Sequence, residues 1–207
     1  MIVTVIPAKP FRESKERLSP VLSLRQRTLL SQKLLEHTIL VASQISQVVV
    51  VSRSVAVRQF AAQLGAHVLV EEQTDLNAAV CQGVAWGQAQ GESSVLILPL
   101  DLPLLSKVVL EDFVHLGLQH SPRIIIAPCR HRRGTNALFL NPPDLISPRF
   151  GPTSFADHQK LAQNAGILPK IYDAPELAFD LDTPGDWQTL KTLAPLFVEN
   201  LFVSLYV

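Results

Sequence analysis

The stretch Ser94-Val-Leu-Ile-Leu-Pro-Leu-Asp101-Leu-Pro103 decides how the rest of the chain is read. Val95 to Leu98 form an unbroken apolar run, the pattern of a strand buried on both faces. Pro99 and Pro103 discourage regular structure on either side of Asp101. A carboxylate is thus held on a stiff turn just past the end of a buried strand. In open α/β sheets that edge is where ligands bind.

Outward from this stretch the same rhythm repeats. Upstream, Ile2 to Ile6, Gln47 to Val51 and His67 to Val70 read as strands. Between them lie helices. One is opened by the capping box Ser23-x-x-Gln26 and runs to about Ser43. A second spans Val55 to Leu64 and is ended by Gly65, and a third spans Leu76 to Ala89, capped from Asp75. Downstream, Ser106 caps a helix to Leu118, and Ile124 to Ala127 and Ala137 to Leu140 are strands. Thr153 or Ser154 caps a helix to Ala165, with Ser154-x-x-Asp157 as a capping box. Ile171 to Asp173 and Phe179 to Asp182 are short late strands, and Thr183-Pro-Gly-Asp186 opens the last helix. Strand followed by helix, repeated, predicts a single-domain α/β fold. Its sheet is mainly parallel and flanked by helices, with a short antiparallel edge late in the chain. The domain is expected over residues 1–195. The apolar tail 196–207 is expected to dock or to cover an interface, as in a homodimer.

Composition narrows the function. The 207 residues are 47% hydrophobic, enough for one well-cored domain, and carry no net charge. Without a basic field, nucleic acid and anionic membrane are not expected partners. Cys81 and Cys129 form no C-x-x-C pair, so neither a zinc site nor a disulfide framework is read. Met1 to Ile6 lacks the basic start of a signal peptide, and no apolar run approaches the ~20 residues of a membrane span. The expectation is a soluble, cytoplasmic protein.

Two further acids stand out. Asp180 and Asp182 bracket Leu181 in Phe179-Asp-Leu-Asp-Thr-Pro184. Alternate residues of an extended segment share a face, so the two carboxylates can converge. Gathered carboxylates repel unless a cation joins them, and hard divalent ions such as Mg²⁺ take oxygen ligands. Asp101, Asp180 and Asp182 are therefore the candidate metal ligands. The loop after the first strand carries Lys9, Arg12, Lys15 and Arg17, cations suited to holding phosphate groups, although charge alone fits a solvated surface as well. Asn77, on the first turn of a helix, is a candidate base or ribose contact or simply a helix-start residue. Thr135 with its flanking cations, and Gly151 and Ser154 at a helix start, offer hydroxyl and N–H donors to an anion. No G-x-G-x-x-G or Walker pattern occurs, which excludes the usual dinucleotide fold and P-loop enzymes. His158 has no serine or cysteine beside it in sequence that would make a hydrolase triad.

In order along the chain come Lys15-x-Arg17-Leu-x-Pro20, Leu76-Asn77, Leu98-Pro-x-Asp101-Leu-Pro103, Gly134-Thr-Asn-Ala-Leu138, Phe150-Gly-x-x-Ser-Phe155 with His158, and Asp180-Leu-Asp-Thr-Pro184. This ensemble resembles the guanylyltransferases of deazaflavin coenzyme F-420 biosynthesis, which act on phosphoenolpyruvate or 2-phospho-L-lactate. The resemblance implies a nucleotide-diphospho-sugar transferase type of fold, Rossmann-like. It implies that GTP and a small phosphorylated carboxylic acid are joined with release of pyrophosphate, and a downstream transferase of the same pathway as a partner. One or two Mg²⁺ ions would be held by Asp101, Asp180 and Asp182. Lys9, Lys15 and Arg17 would carry catalytic charge stabilisation and, with Asn77, nucleotide binding. Thr135, Gly151 and Ser154 would bind the acceptor. The glycine-free loop Pro7-Ala-Lys-Pro10 sets the chain apart from sugar-phosphate and molybdopterin nucleotidyltransferases. The presence of all three acids argues against a non-catalytic nucleotide-binding domain.

Overall fold

The structure, a computed structural model, describes residues 1–201; the tail beyond Leu201 lies outside the described residues. The chain runs through β1 (Ile2–Pro7), α1 (Leu24–Ala42), β2 (Gln47–Ser52), α2 (Val55–Gln63), β3 (His67–Val70), α3 (Leu76–Ala89), β4 (Ser94–Ile97) and α4 (Lys107–Leu118). It continues through β5 (Arg123–Pro128), β6 (Thr135–Asn141), α5 (Ser154–Asn164), β7 (Lys170–Ile171), α6 (Pro175–Ala178), α7 (Pro184–Leu193) and α8 (Pro195–Leu201). The seven strands form one sheet in the order β3-β2-β1-β4-β6-β5-β7.

The strands of the first half pair in parallel, as expected. The antiparallel element belongs to the later half but is not an edge. It is β6, which sits inside the sheet and opposes both β4 and β5. The cause is loop length. Residues 129–134 are too few for the crossover that a parallel partner requires, so β6 must turn back beside β5. This places the start of β6 at the sheet edge where β4 and β5 end, since Pro128 faces Thr135 and Ile97 faces Leu138.

Both sheet faces are dry. Val3, Val5, Val49 and Val51 pack with Val80 and Val84 of α3 on one side, and Ile124 and Ile126 pack there with Phe155 of α5. Ile6, Val48, Val50 and Leu96 pack on the other with Leu35 and Ile39 of α1, Val57 of α2 and Phe113 of α4. Successive strand residues serve opposite faces, so continuous apolar runs are required. A Cβ on Gly83 would meet Val5 Cγ1 at 2.3 Å, and one on Gly87 would meet Val3 Cγ1 at 2.4 Å. The two glycines let α3 lie directly on β1, which fixes the start of α3 beside the carboxyl end of β1.

A third apolar cluster joins Leu18 of the first loop, Leu30 and Leu34 of α1, Phe179, Leu181, and Trp187 and Leu190 of α7. Helix α8 joins it through buried Leu201, and Phe197 meets the His37 ring edge-on at 6.2 Å. Residues 196–201, expected as part of an apolar tail that docks or covers an interface, are helical, with Leu201 buried in this cluster. The capping boxes at Ser23/Gln26 and Thr183/Asp186 both form, and Gly65 takes the left-handed φ of +85° after α2. No helix of the described residues is long and apolar enough to cross a membrane.

Phe179 to Asp182 is not a strand. The segment makes no strand ladder; Phe179 N–H closes the preceding helix on the Pro175 carbonyl, and Leu181 N–H donates to the Asp101 carbonyl at 3.0 Å. It lies past the end of β4, where there is no strand left to pair with. The period-2 pattern survives without a ladder, because Phe179 and Leu181 bury in the third cluster and Asp180 and Asp182 lie between them.

Candidate active site

Three chain segments meet at the carboxyl edge of the sheet. They are the loop after β1, the turn after β4 and the extended segment before α7. The first loop folds into two short 3-10 turns pinned by buried Phe11 and Leu18. Between the turns, Lys15 adopts the left-handed conformation, φ 58° and ψ 34°, rarely held by residues other than glycine. That conformation turns its side chain inward, where it is only 6% exposed. Its ammonium donates to Asp101 Oδ2 at 3.0 Å and to Asp182 Oδ1 at 3.1 Å. Burial alone would lower the Lys15 pKa, but the charges of Asp101 and Asp182 outweigh it and hold the group above its usual value.

Asp180 completes the group differently. Its Oδ1 is buried with no hydrogen-bond partner. Burial, together with the neighbouring charge of Asp101, raises its pKa. Two carboxylates thus face one ammonium, and the third lies near enough to Asp101 to feel its charge. Among the described residues no three acidic, imidazole or thiol groups are gathered closely enough to hold a metal ion. Lys15 stands between Asp101 and Asp182 instead. The donor set still suits a hard cation, since all donors are oxygen and one is an orphaned carboxyl oxygen.

The acids are held from behind by Asp186 and Arg130. Asp186 Oδ2 accepts from Asp182 N–H at 2.9 Å and Thr183 N–H at 2.7 Å, and its Oδ1 pairs with the Arg130 guanidinium. Burial alone would raise the Asp186 carboxyl, and these bonds bring it below the usual carboxylate range. Arg130 also covers the Phe179 ring at 4.9 Å, and its N–H donates to the Ala178 carbonyl. Sequence reasoning identified Asp186 only as a helix cap. The partnership with Arg130 joins residues 56 apart, and no local pattern announces it.

Lys9 and Arg17 do not join Lys15; both are exposed. Lys9 borders two adjoining cavities. One, of about 390 Å³, is also bordered by Lys15, Arg17, Pro99, Leu100 and Asp182. The other, of about 360 Å³, lies between the ends of β1 and β2 and the start of α3.

The expected anion contacts form a separate, tightly bonded unit. Ser154 is the first residue of α5 and not its cap. Its Oγ accepts from Thr135 N–H at 2.9 Å, and Thr153 Oγ1 donates to Asp157 at 2.8 Å, so no Ser154 capping box exists. Thr135 Oγ1 lies 2.9 Å from His158 Nδ1, and His158 Nε2 accepts from Arg149 N–H at 2.9 Å. A neutral imidazole whose Nε2 accepts must carry its proton on Nδ1, so His158 donates to Thr135. The hydroxyl protons of Thr135 and Ser154 are then free of acceptors among the described residues. Burial pushes the His158 pKa down to about 4, which keeps the ring neutral and this pattern intact. Gly151 is exposed beside them, and a Cβ there would meet nothing.

Asn77 also has a structural role. Its amide donates to the Phe150 carbonyl at 3.1 Å and accepts from Phe150 N–H at 2.6 Å. Both ends of the amide fasten the 150 loop to α3, while its second N–H makes no bond among the described residues.

A family model described as "Guanylyl transferase CofC like" matches residues 2–192. The chain is 35% identical over 192 residues to a phosphoenolpyruvate guanylyltransferase of Rubrobacter xylanophilus, covering 92% of this chain and 93% of the relative. It is 32% identical to a 3-phospho-D-glycerate guanylyltransferase of Colwellia psychrerythraea, covering 95% and 94% of the two chains. It is 34% identical to a 2-phospho-L-lactate guanylyltransferase of Methanothermobacter thermautotrophicus, covering 88% and 80%. Among solved structures, a putative nucleotide-diphospho-sugar transferase from Desulfovibrio desulfuricans superposes with a TM-score of 0.76 at 15% identity, covering 93% of this chain and 87% of that one.

Proposed function

From the premise that the chain belongs to the CofC-like guanylyl transferase family, we propose that it joins GTP to a small phosphorylated carboxylic acid and releases pyrophosphate. Phosphoenolpyruvate is the preferred acceptor in this reading, 2-phospho-L-lactate the next, and the reaction is a cytoplasmic step toward coenzyme F-420. The observation that carries the proposal is the Lys15 ammonium held between Asp101 and Asp182, with the unpartnered Asp180 carboxyl beside Asp101 and a cavity bordered by Lys9 and Arg17.

The acceptor phosphate is an anion near neutral pH, so its oxygen attacks the α-phosphorus of GTP without a general base. Such transfer depends on positioning and charge stabilisation. Lys9, Lys15 and Arg17 face the cavity from one side and neutralise the departing pyrophosphate. Asp101, Asp180 and Asp182 would hold Mg²⁺. That ion, when bound, supplies Lewis-acid neutralisation of phosphate charge. Lys15 keeps the facing carboxylates paired in its absence. Arg130 and Asp186 hold Asp182 in place. The free hydroxyl protons of Thr135 and Ser154, with the open backbone at Gly151, grip the acid, and His158 orients Thr135 from behind. Asn77 serves by fastening the 150 loop.

The test is to offer the protein GTP and Mg²⁺ with phosphoenolpyruvate, 2-phospho-L-lactate and 3-phosphoglycerate in turn and to follow pyrophosphate. Release with one acid identifies the acceptor. No release with any of them defeats the proposal.

A further inference from the structure

The smaller of the two adjoining cavities contains a carboxylate that the transfer chemistry does not use. Glu71 follows β3 directly, and its side chain is only 9% exposed. Its Oε2 accepts from Arg53 N–H at 3.1 Å, and the Arg53 guanidinium stands 3.9 Å away. Its Oε1 makes no hydrogen bond among the described residues, although the side chain borders the cavity. An oxygen with open lone pairs on a side chain this enclosed is placed to accept a donor from a molecule in the cavity. The Arg53 guanidinium is shared, since it pairs with Glu13 as well as with Glu71 Oε2 and leaves Oε1 open. The other walls include Pro7, Ala8, Val51, Leu76 and Ala79, apolar surfaces suited to the faces of a flat ring.

We propose that Glu71 selects the guanine base. Guanine places N1–H and the exocyclic N2 amino group side by side on one edge, two donors that a single carboxylate accepts together. Adenine presents an N1 lone pair on that edge, which would face the Glu71 oxygens and repel them. Hypoxanthine keeps N1–H but lacks the amino group. The reading rests on GTP being the nucleotide of the proposed reaction. It adds a residue for base choice, distinct from those at the phosphates.

The test is calorimetric titration of the full chain with GTP, inosine triphosphate and N1-methyl-GTP in Mg²⁺, with no acceptor present. The wild-type chain is expected to bind GTP about 10- to 100-fold more tightly than inosine triphosphate, the worth of one hydrogen bond to a charged group. It is expected to bind N1-methyl-GTP at least as poorly. Glu71→Gln keeps the shape and can still accept from Arg53 N–H, but it turns an amide donor toward the base. Its preference for GTP over inosine triphosphate should shrink to within about 3-fold, the scale left when the charged acceptor is gone. Equal wild-type affinity for the two nucleotides overturns the proposal without any variant. So does a Glu71→Gln protein that keeps the wild-type ratio, or loses both nucleotides equally. If base discrimination is seen while no acid releases pyrophosphate, Glu71 stands and the guanylyl-transfer reading falls.

Discussion

Leu181 N–H donates to the carbonyl oxygen of Asp101 at 3.0 Å, and this bond splices the two acid-bearing segments together. The side chain of Leu181 is fully buried, so the same residue anchors the acids on its apolar side. Leu181→Ala should lower unfolding free energy by about 2–5 kcal/mol, as large-to-small core changes do. Denaturant unfolding measures the loss. The variant should also lose transfer activity below its melting temperature, since Asp180 and Asp182 lose their anchor. Unchanged stability would show that the segment is held by something else.

Asp101→Asn and Asp182→Asn should each cut pyrophosphate release at least ~100-fold, the worth of one well-placed electrostatic group. Near-normal turnover of both variants would remove them from the reaction.

Lys15→Ala leaves Asp101 and Asp182 facing each other with no cation between them. In chelator the variant should be less stable by about 1–3 kcal/mol. That is below the range for a fully buried pair, because Asp182 is well exposed. Added Mg²⁺ should raise the melting temperature of the variant more than that of the wild type. Equal Mg²⁺ shifts in both proteins would show that Lys15 is not the resting partner of these acids.

The His158 pKa is depressed to about 4, against about 6.5 when unfolded. The unfolded chain therefore takes up a proton as pH falls through 6.5, while the folded chain does not until pH nears 4. The stabilisation from a neutral His158 is fully present above pH 6.5 and lost progressively below it. The loss is on the order of 3 kcal/mol by pH 4. Unfolding curves of wild type and His158→Gln across pH 4–7 should differ in slope in that window. Parallel curves would show that His158 does not titrate as described.

The parallel half of the fold was legible because unbroken runs such as Val48 to Val51 leave little choice once both faces must be dry. The position of β6 was less so. Its apolar run fits an edge or a centre equally, and its neighbour is chosen by the short 129–134 loop. At the site, the acid-Leu-acid spacing matched the burial of Phe179 and Leu181, yet the strand expected to carry the acids does not exist. Lys15 was one of four loop cations with nothing local to single it out. Its inward turn depends on a left-handed backbone and on acids 86 and 167 residues away. The loop-fastening role of Asn77 was hidden because its partner, Phe150, lies 73 residues on.

The double duty of Asp186 sets an order of assembly. The sheet is finished at Ile171, but Asp182 is held by an acid that lies beyond it and caps α7. A ribosome-bound chain that has emitted every strand still lacks the residue that holds Asp182. Asp182 is set in place only with the folding of the helix that begins at Pro184, so a segment that follows every strand is the one that fixes the candidate centre.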